Sequence, residues 1–251
     1  EAEGTVRVGE FSLPPSTHTS PTAKIPSAQS ADLVMTPTTE RNLSVMARAW
    51  LVKAPVLLEG PTAAGKTSMV RYTAYKTNTP YRRINLSHQT EISDLLGRFE
   101  GGQYTQESLE QMPAAERRSL AEQLGYQGSR EDEDLVQFIL QEDPEARWVD
   151  GPVIQAMKNG EALVLDEINL ARGEVLERLN SLFDDDRNIV LTEHTNEVVR
   201  PHEAFRVFAT MNPGTDVGRS RLSKAMRSRW PTVWTEGQTM ADITQIMAER
   251  Y

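Results

Sequence analysis

The chain has 251 residues, which is enough for one sizeable hydrophobic core and a small appendage. Its composition is globular, with 38% hydrophobic and 25% charged residues, and no apolar run approaches the length of a membrane span. The lack of cysteine excludes disulfides, thiolate metal sites and a cysteine nucleophile, and it fits a reducing compartment. The formal net charge of −9 argues against a general nucleic-acid-binding surface.

Residues 1–33 are predicted to form an N-terminal arm. Residues 11–30 hold four Pro and eight Ser or Thr, which is typical of a linker or a loosely held, partly flexible arm. The alternative for this segment is an ordered strap laid over the domain. Because the chain begins at Glu1, without Met or a signal-peptide pattern, we expect it to be a fragment of a longer protein.

From residue 34 onward, apolar runs alternate with helical patterns. The stretch "TPTTERNLSVMARAW" places Leu43, Met46 and Trp50 at helical spacing behind a Thr–Pro start. Strands that alternate with helices predict an α/β fold with a parallel sheet covered on both faces. The predicted buried strands are residues 55–59, 81–85, 162–166 and 205–211, with 232–235 as a weaker fifth.

Two insertions interrupt this alternation. The segment at about 103–148 is mostly helical in pattern and acidic, with eleven Asp or Glu against four Arg. We expect a solvated helical hairpin there; docking of basic partner surfaces is the alternative hypothesis. Residues 188–200 carry two β-branched runs around a polar turn, which predicts a β-hairpin.

A phosphate-binding loop is predicted directly after the first buried strand. The residues "GPTAAGKTS" match the pattern G-x-x-x-x-G-K-[ST], and a helical pattern follows them. Glycines let backbone N–H groups turn inward around a polyphosphate, and the N-terminus of the helix adds positive potential. Lys66 is predicted to reach the β and γ phosphates, and the Thr67 hydroxyl to bind Mg²⁺. The predicted nucleotide-binding residues of this loop are Gly60, Pro61, Thr62, Ala63, Ala64, Gly65, Lys66, Thr67 and Ser68.

Polar residues at the ends of two later strands are predicted to complete the site. In "EALVLDEINLA", Asp166 is expected to support Mg²⁺, and Glu167 to act as the general base for the attacking water. Neighbours in a strand point to opposite sides, so the two carboxylates need not share one role. Asn212, in "FATMNP", is expected to orient a water and to sense the γ-phosphate.

The basic stretch "GRSRLSKAMRSRW" is a candidate source of an arginine finger, which would stabilise transition-state charge on a neighbouring module's nucleotide. Arg229 is the favoured candidate because it comes just before the last predicted strand, and Arg227 is the reserve. The alternative for most of these side chains is a solvated basic helix face.

In this order, the motifs resemble those of AAA+ ATPase modules. The phrases "TPTTERNL", "RINLSHQTEISDLLGRF" and "DGPVIQAMKNGEALVLDEINLARGEVLERLNSLFDDDRNI" are similar to the dynein-related and MoxR-like branch. The resemblance covers about residues 34–235 and implies a three-layer αβα sandwich with a five-stranded parallel sheet. It also implies an insertion near 99–104 and a helical lid that is largely absent, since residues 236–251 would supply only its start.

The resemblance implies ATP and Mg²⁺ as cofactors and neighbouring AAA+ modules in a hexameric or pseudo-hexameric ring as partners. Within the branch, the chain is most similar to a ring ATPase that removes assembly factors from pre-ribosomal large subunits. That implies protein substrates, no direct nucleic-acid or membrane contact, and an intracellular location: the nucleus or nucleolus for this role, otherwise the cytoplasm. The alternatives are a nucleotide-binding module that does not hydrolyse, or a GTPase of a related AAA+ branch.

Overall fold

The computed structural model describes residues 4–128, 132–143, 145–184, 186–213, 227–228 and 230–250. The chain divides into two compact units. The sheet unit comprises Glu1–Glu91, Gln155–Ile189 and Val199–Tyr251, and the insertion unit comprises Ile92–Ile154 and Val190–Val198. No helix in the described ranges is both long enough and apolar enough to cross a membrane.

The strands are β1 (Val6–Val8), β2 (Phe11–Leu13), β3 (Val56–Glu59), β4 (Tyr81–Asn85), β5 (Gly97–Glu100), β6 (Arg147–Asp150), β7 (Ala162–Asp166), β8 (Ile189–Leu191), β9 (Glu197–Val199), β10 (Arg206–Met211) and β11 (Thr232–Trp234). The helices are α1 (Pro37–Leu51), α2 (Lys66–Lys76), α3 (Ile92–Leu96), α4 (Gln106–Gln111), α5 (Ala114–Gln123), α6 (Asp132–Glu142), α7 (Pro152–Lys158), α8 (Gly173–Leu179) and α9 (Met240–Arg250). Short 3₁₀ turns at Ile168–Leu170 and Asn180–Phe183 flank α8.

Five parallel strands form the main sheet in the order β11-β3-β10-β7-β4, which confirms the predicted α/β class. The middle strands read as continuous apolar runs because helices cover both faces of a parallel sheet, and every residue of β7 is buried. The chain leaves β3 and returns at the far edge as β4, with β10 and β7 between them. Ligand sites of open α/β sheets lie beyond the strand carboxyl ends at such a switch point.

Helix α1 forms as its sequence pattern predicts and packs against the sheet. The Thr36 side chain accepts a hydrogen bond from the Thr39 N–H at 3.1 Å, and Pro37 occupies the first turn, so the helix starts at a regular N-cap. Its apolar face is buried in the main core, where the Trp50 ring stacks on Phe208 with 5.6 Å between centroids. This packing places the N-terminal end of α1 beside the phosphate-binding loop of the same unit.

The N-terminal segment lies along the sheet unit. β1 and β2 form an antiparallel hairpin whose Val8 and Leu13 side chains are buried in the main core. Farther along, the Ser16 N–H donates to the Thr77 carbonyl at 2.6 Å, and Lys24 forms a β-bridge to Tyr81 at the edge strand β4. These backbone hydrogen bonds and apolar contacts offset part of the entropy of ordering a Pro- and Ser-rich chain.

A buried carboxylate binds the N-terminal segment to the sheet unit. Glu161, which is fully buried, accepts hydrogen bonds from Ser20 at 2.6 Å and Thr22 at 2.8 Å, and pairs with Arg82 Nε at 2.6 Å. Burial raises the pKa of Glu161, but the hydrogen bonds from Arg82, Ser20 and Thr22 outweigh burial, so its pKa lies below the ordinary 4.5. The carboxylate is thus held charged as a shared acceptor for β4 and the N-terminal segment.

The insertion unit has its own core. β5 and β6 pair as an antiparallel ribbon, and the chain between them forms α4, α5 and α6. The three helices lie within the acidic segment, whose last residues belong to β6. Trp148 on β6 stacks on His194, with 4.9 Å between the ring centroids. The buried residues of the helical part are Leu109, Ala121, Tyr126, Leu135, Val136, Ile139 and Leu140.

We expect Glu161→Gln to lower the free energy of unfolding by roughly 3 kcal/mol at pH 7, because Arg82 loses its buried partner. The matched control is Glu236→Gln, whose pair with Arg41 at 3.0 Å is exposed, and its cost should be about 0.5 kcal/mol or less. Urea titrations would measure both.

The pH dependence of stability gives a second check. A carboxylate whose pKa is depressed in the folded state stabilises the folded protein above its ordinary pKa of 4.5, and this contribution is lost as pH falls through the folded-state pKa. The wild type should therefore lose its advantage over Glu161→Gln only below about pH 4.5; an advantage that grows in acid would contradict the assignment.

Candidate active site

The phosphate-binding loop joins the end of β3 to the start of α2. Gly65 has a φ of +78°, the left-handed region that favours glycine, and it precedes the first residue of the helix. Gly60 is required for another reason: a Cβ there would lie 2.2 Å from the Thr235 hydroxyl oxygen and 2.4 Å from the Thr235 carbonyl oxygen. The two glycines of the motif thus permit the turn and the close passage of the last strand, respectively.

Lys66 holds its ammonium group at the centre of the loop. Its Nζ donates to the carbonyl oxygens of Gly60 at 2.7 Å and Pro61 at 2.8 Å, and to Asn212 Oδ1 at 2.9 Å. The side chain is largely buried. The structure therefore brings together the loop lysine and the strand-end asparagine, which lie 146 residues apart in the chain.

Asp166, at the carboxyl end of β7, is a buried acceptor shared by three other elements. Its Oδ1 accepts from the Thr67 hydroxyl at 3.1 Å and from the Thr210 hydroxyl. Its Oδ2 accepts from Arg83 Nε at 2.8 Å and from Arg83 Nη2. A carboxylate offers about four acceptor sites, so these donors engage the whole group.

Glu167 lies just beyond the end of β7, next to Asp166. It has a φ of +56°, an uncommon value for a residue other than Gly, and such strained positions cluster at functional sites. The Thr210 hydroxyl accepts its backbone N–H at 3.1 Å, and its Oε1 lies 3.5 Å from Asn212 Nδ2. The two adjacent carboxylates therefore occupy different surroundings, as their strand-end position predicts.

Arg83 and Thr210 are site residues that the sequence analysis missed. Arg83 belongs to β4, the neighbour of β7, and Thr210 belongs to β10, the strand on the other side. Thr210 comes two residues before Asn212, a spacing that returns to the same side of a strand. That spacing and the second arginine of "YRRIN" are the signals that could have identified them.

The side chains described above line a common cavity of about 480 Å³. Residues 62–68 of the loop line one side, and Arg83, Asn85, Asp166, Glu167, Thr210 and Asn212 line the other. A second pocket of about 520 Å³ shares Thr62–Gly65 and Ser68 but is mostly apolar elsewhere. Its further apolar lining is Leu33, Val34, Met69, Ile243, Ile246 and Met247.

The second pocket is closed on one side by α9, whose start is fixed to α1. Asp242 Oδ2 accepts from the Thr38 hydroxyl at 2.7 Å, the Thr239 hydroxyl at 2.6 Å and the Thr239 N–H at 2.8 Å. Hydrogen bonds from Thr239 and Thr38 hold the pKa of this carboxyl far below its usual range. This capping network positions the apolar face of α9 beside the loop.

The basic stretch is only partly described. Arg229, the favoured finger candidate, lies outside the described residues, as do Arg219, Arg221 and Lys224. Arg227 is exposed, and its Nη2 is 3.8 Å from Glu59 Oε1 at the end of β3. Trp230 is buried and packs on Phe183, with 4.2 Å between the ring centroids.

The residues present fit a nucleotide with Mg²⁺. Loop N–H groups and Lys66 suit phosphates, and the Thr67 hydroxyl and Asp166 carboxylate supply the oxygen ligands that Mg²⁺ prefers. In the described part of the chain, no three His, Cys, Asp or Glu side chains cluster as a metal cage. A magnesium ion here would therefore depend on phosphate oxygens and water in addition to protein ligands.

Comparison with known proteins gives matches to a family model, to curated relatives and to a solved structure. A protein-family model described as "AAA domain (dynein-related subfamily)" matches residues 106–230. The chain is 35% identical over 219 residues to midasin of Dictyostelium discoideum and 31% identical over 224 residues to midasin of Giardia intestinalis. These alignments cover 86% and 89% of this chain but only 3% and 4% of the two midasins.

A solved structure supports the fold. The crystal structure of a proposed ATPase from Cytophaga hutchinsonii superposes with a TM-score of 0.52 at 17% identity. The match covers 82% of this chain and 49% of the other, so the fold is shared with part of that protein.

We expect Thr210→Val to lower the free energy of unfolding by about 2 kcal/mol, because it leaves the part-buried Glu167 N–H without its acceptor and removes a donor to Asp166. Thr232→Val, on the exposed end of β11, is the matched control and should cost less than about 0.5 kcal/mol. Urea titrations followed by tryptophan fluorescence would measure the difference. Equal losses in the two variants would show that the Thr210 hydroxyl contributes no more than a surface one.

Proposed function

Because this chain belongs to the dynein-related AAA family, we propose that it is an ATP-binding and ATP-hydrolysing module of a ring-shaped protein-remodelling machine. The observation that carries the proposal is the convergence of Lys66, Thr67, Asp166, Glu167 and Asn212 on one cavity at the carboxyl ends of the sheet. These side chains supply the contacts that phosphoryl transfer to water requires.

The loop and its lysine would bind the phosphates. The N–H groups of residues 62–68 and the N-terminus of α2 offer hydrogen bonds and positive potential to an anion. Lys66 now donates to two loop carbonyls and to Asn212. Phosphate oxygens are stronger, charged acceptors, so the ammonium would transfer to them while remaining near Asn212.

The strand-end residues would divide the remaining tasks. Thr67 and Asp166 would hold Mg²⁺, which neutralises charge that develops on the phosphates. Glu167 faces the cavity and would accept the proton of the attacking water. Asn212 lies near both Lys66 and Glu167, so its amide would position that water relative to the terminal phosphate.

The apolar second pocket would receive the nucleoside. Val34 and Met69 line it, and so do Ile243 and Met247 of α9. A flat, largely apolar base fits such a lining. We propose adenine as the base, with guanine as the alternative that a binding titration distinguishes.

Ring assembly would complete the catalytic site. An arginine from a neighbouring module is expected to approach the terminal phosphate, and Arg229 or Arg227 would serve the next module in the same way. The exposed position of Arg227 supports this second role. By similarity to midasin, we propose that the assembled ring removes assembly factors from pre-ribosomal large subunits in the nucleus.

A second candidate function is a module that binds nucleotide and holds it while its neighbours hydrolyse. One observation favours it: both oxygens of Asp166 are already engaged by protein donors. Nucleotide that remains bound and intact when neighbouring modules are present would identify this function.

Calorimetric titration with MgATP and with MgGTP tests the proposed binding. We expect ATP to bind in preference to GTP, and Lys66→Ala to weaken ATP binding at least about 100-fold because alanine cannot donate a charge-assisted hydrogen bond to phosphate. Lys76→Ala, at the other end of the same helix, is the matched control and should bind normally. Binding that survives in Lys66→Ala would contradict the assignment of this loop.

Hydrolysis is tested with Glu167→Gln in the presence of neighbouring modules. The substitution preserves shape but removes the base, so the single-turnover rate should fall about 10²- to 10⁴-fold while ATP affinity changes little. Glu174→Gln, in the first turn of α8, is the control and should hydrolyse normally. An unchanged rate in Glu167→Gln would assign the proton transfer to another group.

A further inference from the structure

We propose that Arg83 and Mg²⁺ compete for Asp166, and that the displaced Arg83 side chain turns to the terminal phosphate, so that Arg83 distinguishes ATP from ADP. This inference rests on the proposed nucleotide function. It concerns a residue of β4 for which the sequence predicted no role in nucleotide binding.

The competition follows from the hydrogen-bond capacity of one carboxylate. Arg83 directs Nε and Nη2 to Asp166 Oδ2, while Thr67 and Thr210 direct hydroxyl groups to Oδ1. A metal ion that binds Asp166 directly needs a lone pair that one of these donors now uses. One of these hydrogen bonds to Asp166 must therefore break when Mg²⁺ binds.

Arg83 is the donor that can yield. Thr210 is buried, and its oxygen also accepts the Glu167 N–H at 3.1 Å, so its position is fixed twice. The Thr67 hydroxyl can stay in place and rotate its hydrogen away, because the same oxygen can serve as a metal ligand. The Arg83 side chain is 46% exposed, and its positive charge repels a divalent cation at the shared carboxylate.

The cavity offers Arg83 a second partner. Arg83 lines the same 480 Å³ cavity as Gly65, Lys66 and Thr67, the residues proposed to hold the phosphates. Guanidinium groups bind phosphate oxygens through two parallel N–H donors as readily as they bind carboxylates. A guanidinium released from Asp166 therefore remains beside the phosphate that ATP has and ADP lacks.

The neighbouring Arg82 cannot take this role. Successive residues of a strand point to opposite sides, and Arg82 pairs with the buried Glu161 instead. Only one of the two consecutive arginines of β4 thus reaches the nucleotide cavity.

The test compares Arg83→Gln, Arg83→Lys and the control Arg48→Gln, which removes one exposed charge from α1, outside both pockets. Fluorescent ATP and ADP analogues would be titrated at several Mg²⁺ concentrations. In Arg83→Gln, we expect the Mg²⁺ concentration for half-maximal binding to fall about tenfold, since the competitor is gone. The ratio of ATP to ADP affinity should also fall about tenfold, since glutamine cannot form the ionic contact with phosphate. Arg83→Lys should restore part of the ATP preference, and Arg48→Gln should match the wild type.

Both shifts are required. If either the Mg²⁺ midpoint or the ATP-to-ADP affinity ratio of Arg83→Gln stays within about twofold of the wild type, the proposal is overturned. A uniform loss of affinity for both nucleotides would likewise overturn it and leave Arg83 as a support for Asp166. Wild-type protein that binds neither nucleotide would instead overturn the proposed function, and circular dichroism of each variant excludes misfolding as the cause.

Discussion

The fold and the candidate site both depend on the buried charge of Asp166. An ionised carboxylate is costly to bury unless hydrogen-bond donors compensate it. Asp166 receives its donors from α2 (Thr67), β4 (Arg83) and β10 (Thr210), which adjoin it only when β4, β7 and β10 pair in their observed parallel register. Strand pairing therefore assembles the site, and the site in turn stabilises the strand ends.

Thr210 extends this constraint to the second carboxylate. Its hydroxyl donates to Asp166 and accepts the N–H of Glu167, which helps to hold Glu167 in a left-handed conformation. Asn212, two residues later, contacts Lys66 and approaches Glu167. One strand thus contacts both carboxylates, but in different ways: it donates a hydroxyl to the Asp166 side chain, whereas it contacts Glu167 through the backbone N–H and approaches its side chain with an amide.

The parts of this structure that the sequence predicts are those with local signals. The five strands and α1 follow from apolar periodicity, and the phosphate-binding loop follows from the spacing of Gly60, Gly65 and Lys66 between a strand and a helix. The hydrogen bonds of Arg83, Thr210 and Glu161 join residues 43 to 141 positions apart, and no local pattern specifies them. The course of residues 11–30 could not be predicted either. Their Pro- and Ser-rich composition indicates that ordering them costs entropy, but it does not show that the buried Glu161 carboxylate accepts hydrogen bonds from this segment.

The Arg83–Asp166 pair also illustrates why a chain with intact sequence motifs need not have an active site. The motifs determine which side chains can reach a nucleotide, whereas the donors already bound to Asp166 determine how readily a metal ion can join them. In the proposed competition, the same ion pair that stabilises a charged strand end would oppose the entry of Mg²⁺, so a module would gain metal affinity by weakening an interaction that its fold uses. A guanidinium with phosphate as its second partner would reduce this conflict, because the phosphate oxygens would replace the carboxylate as its acceptors.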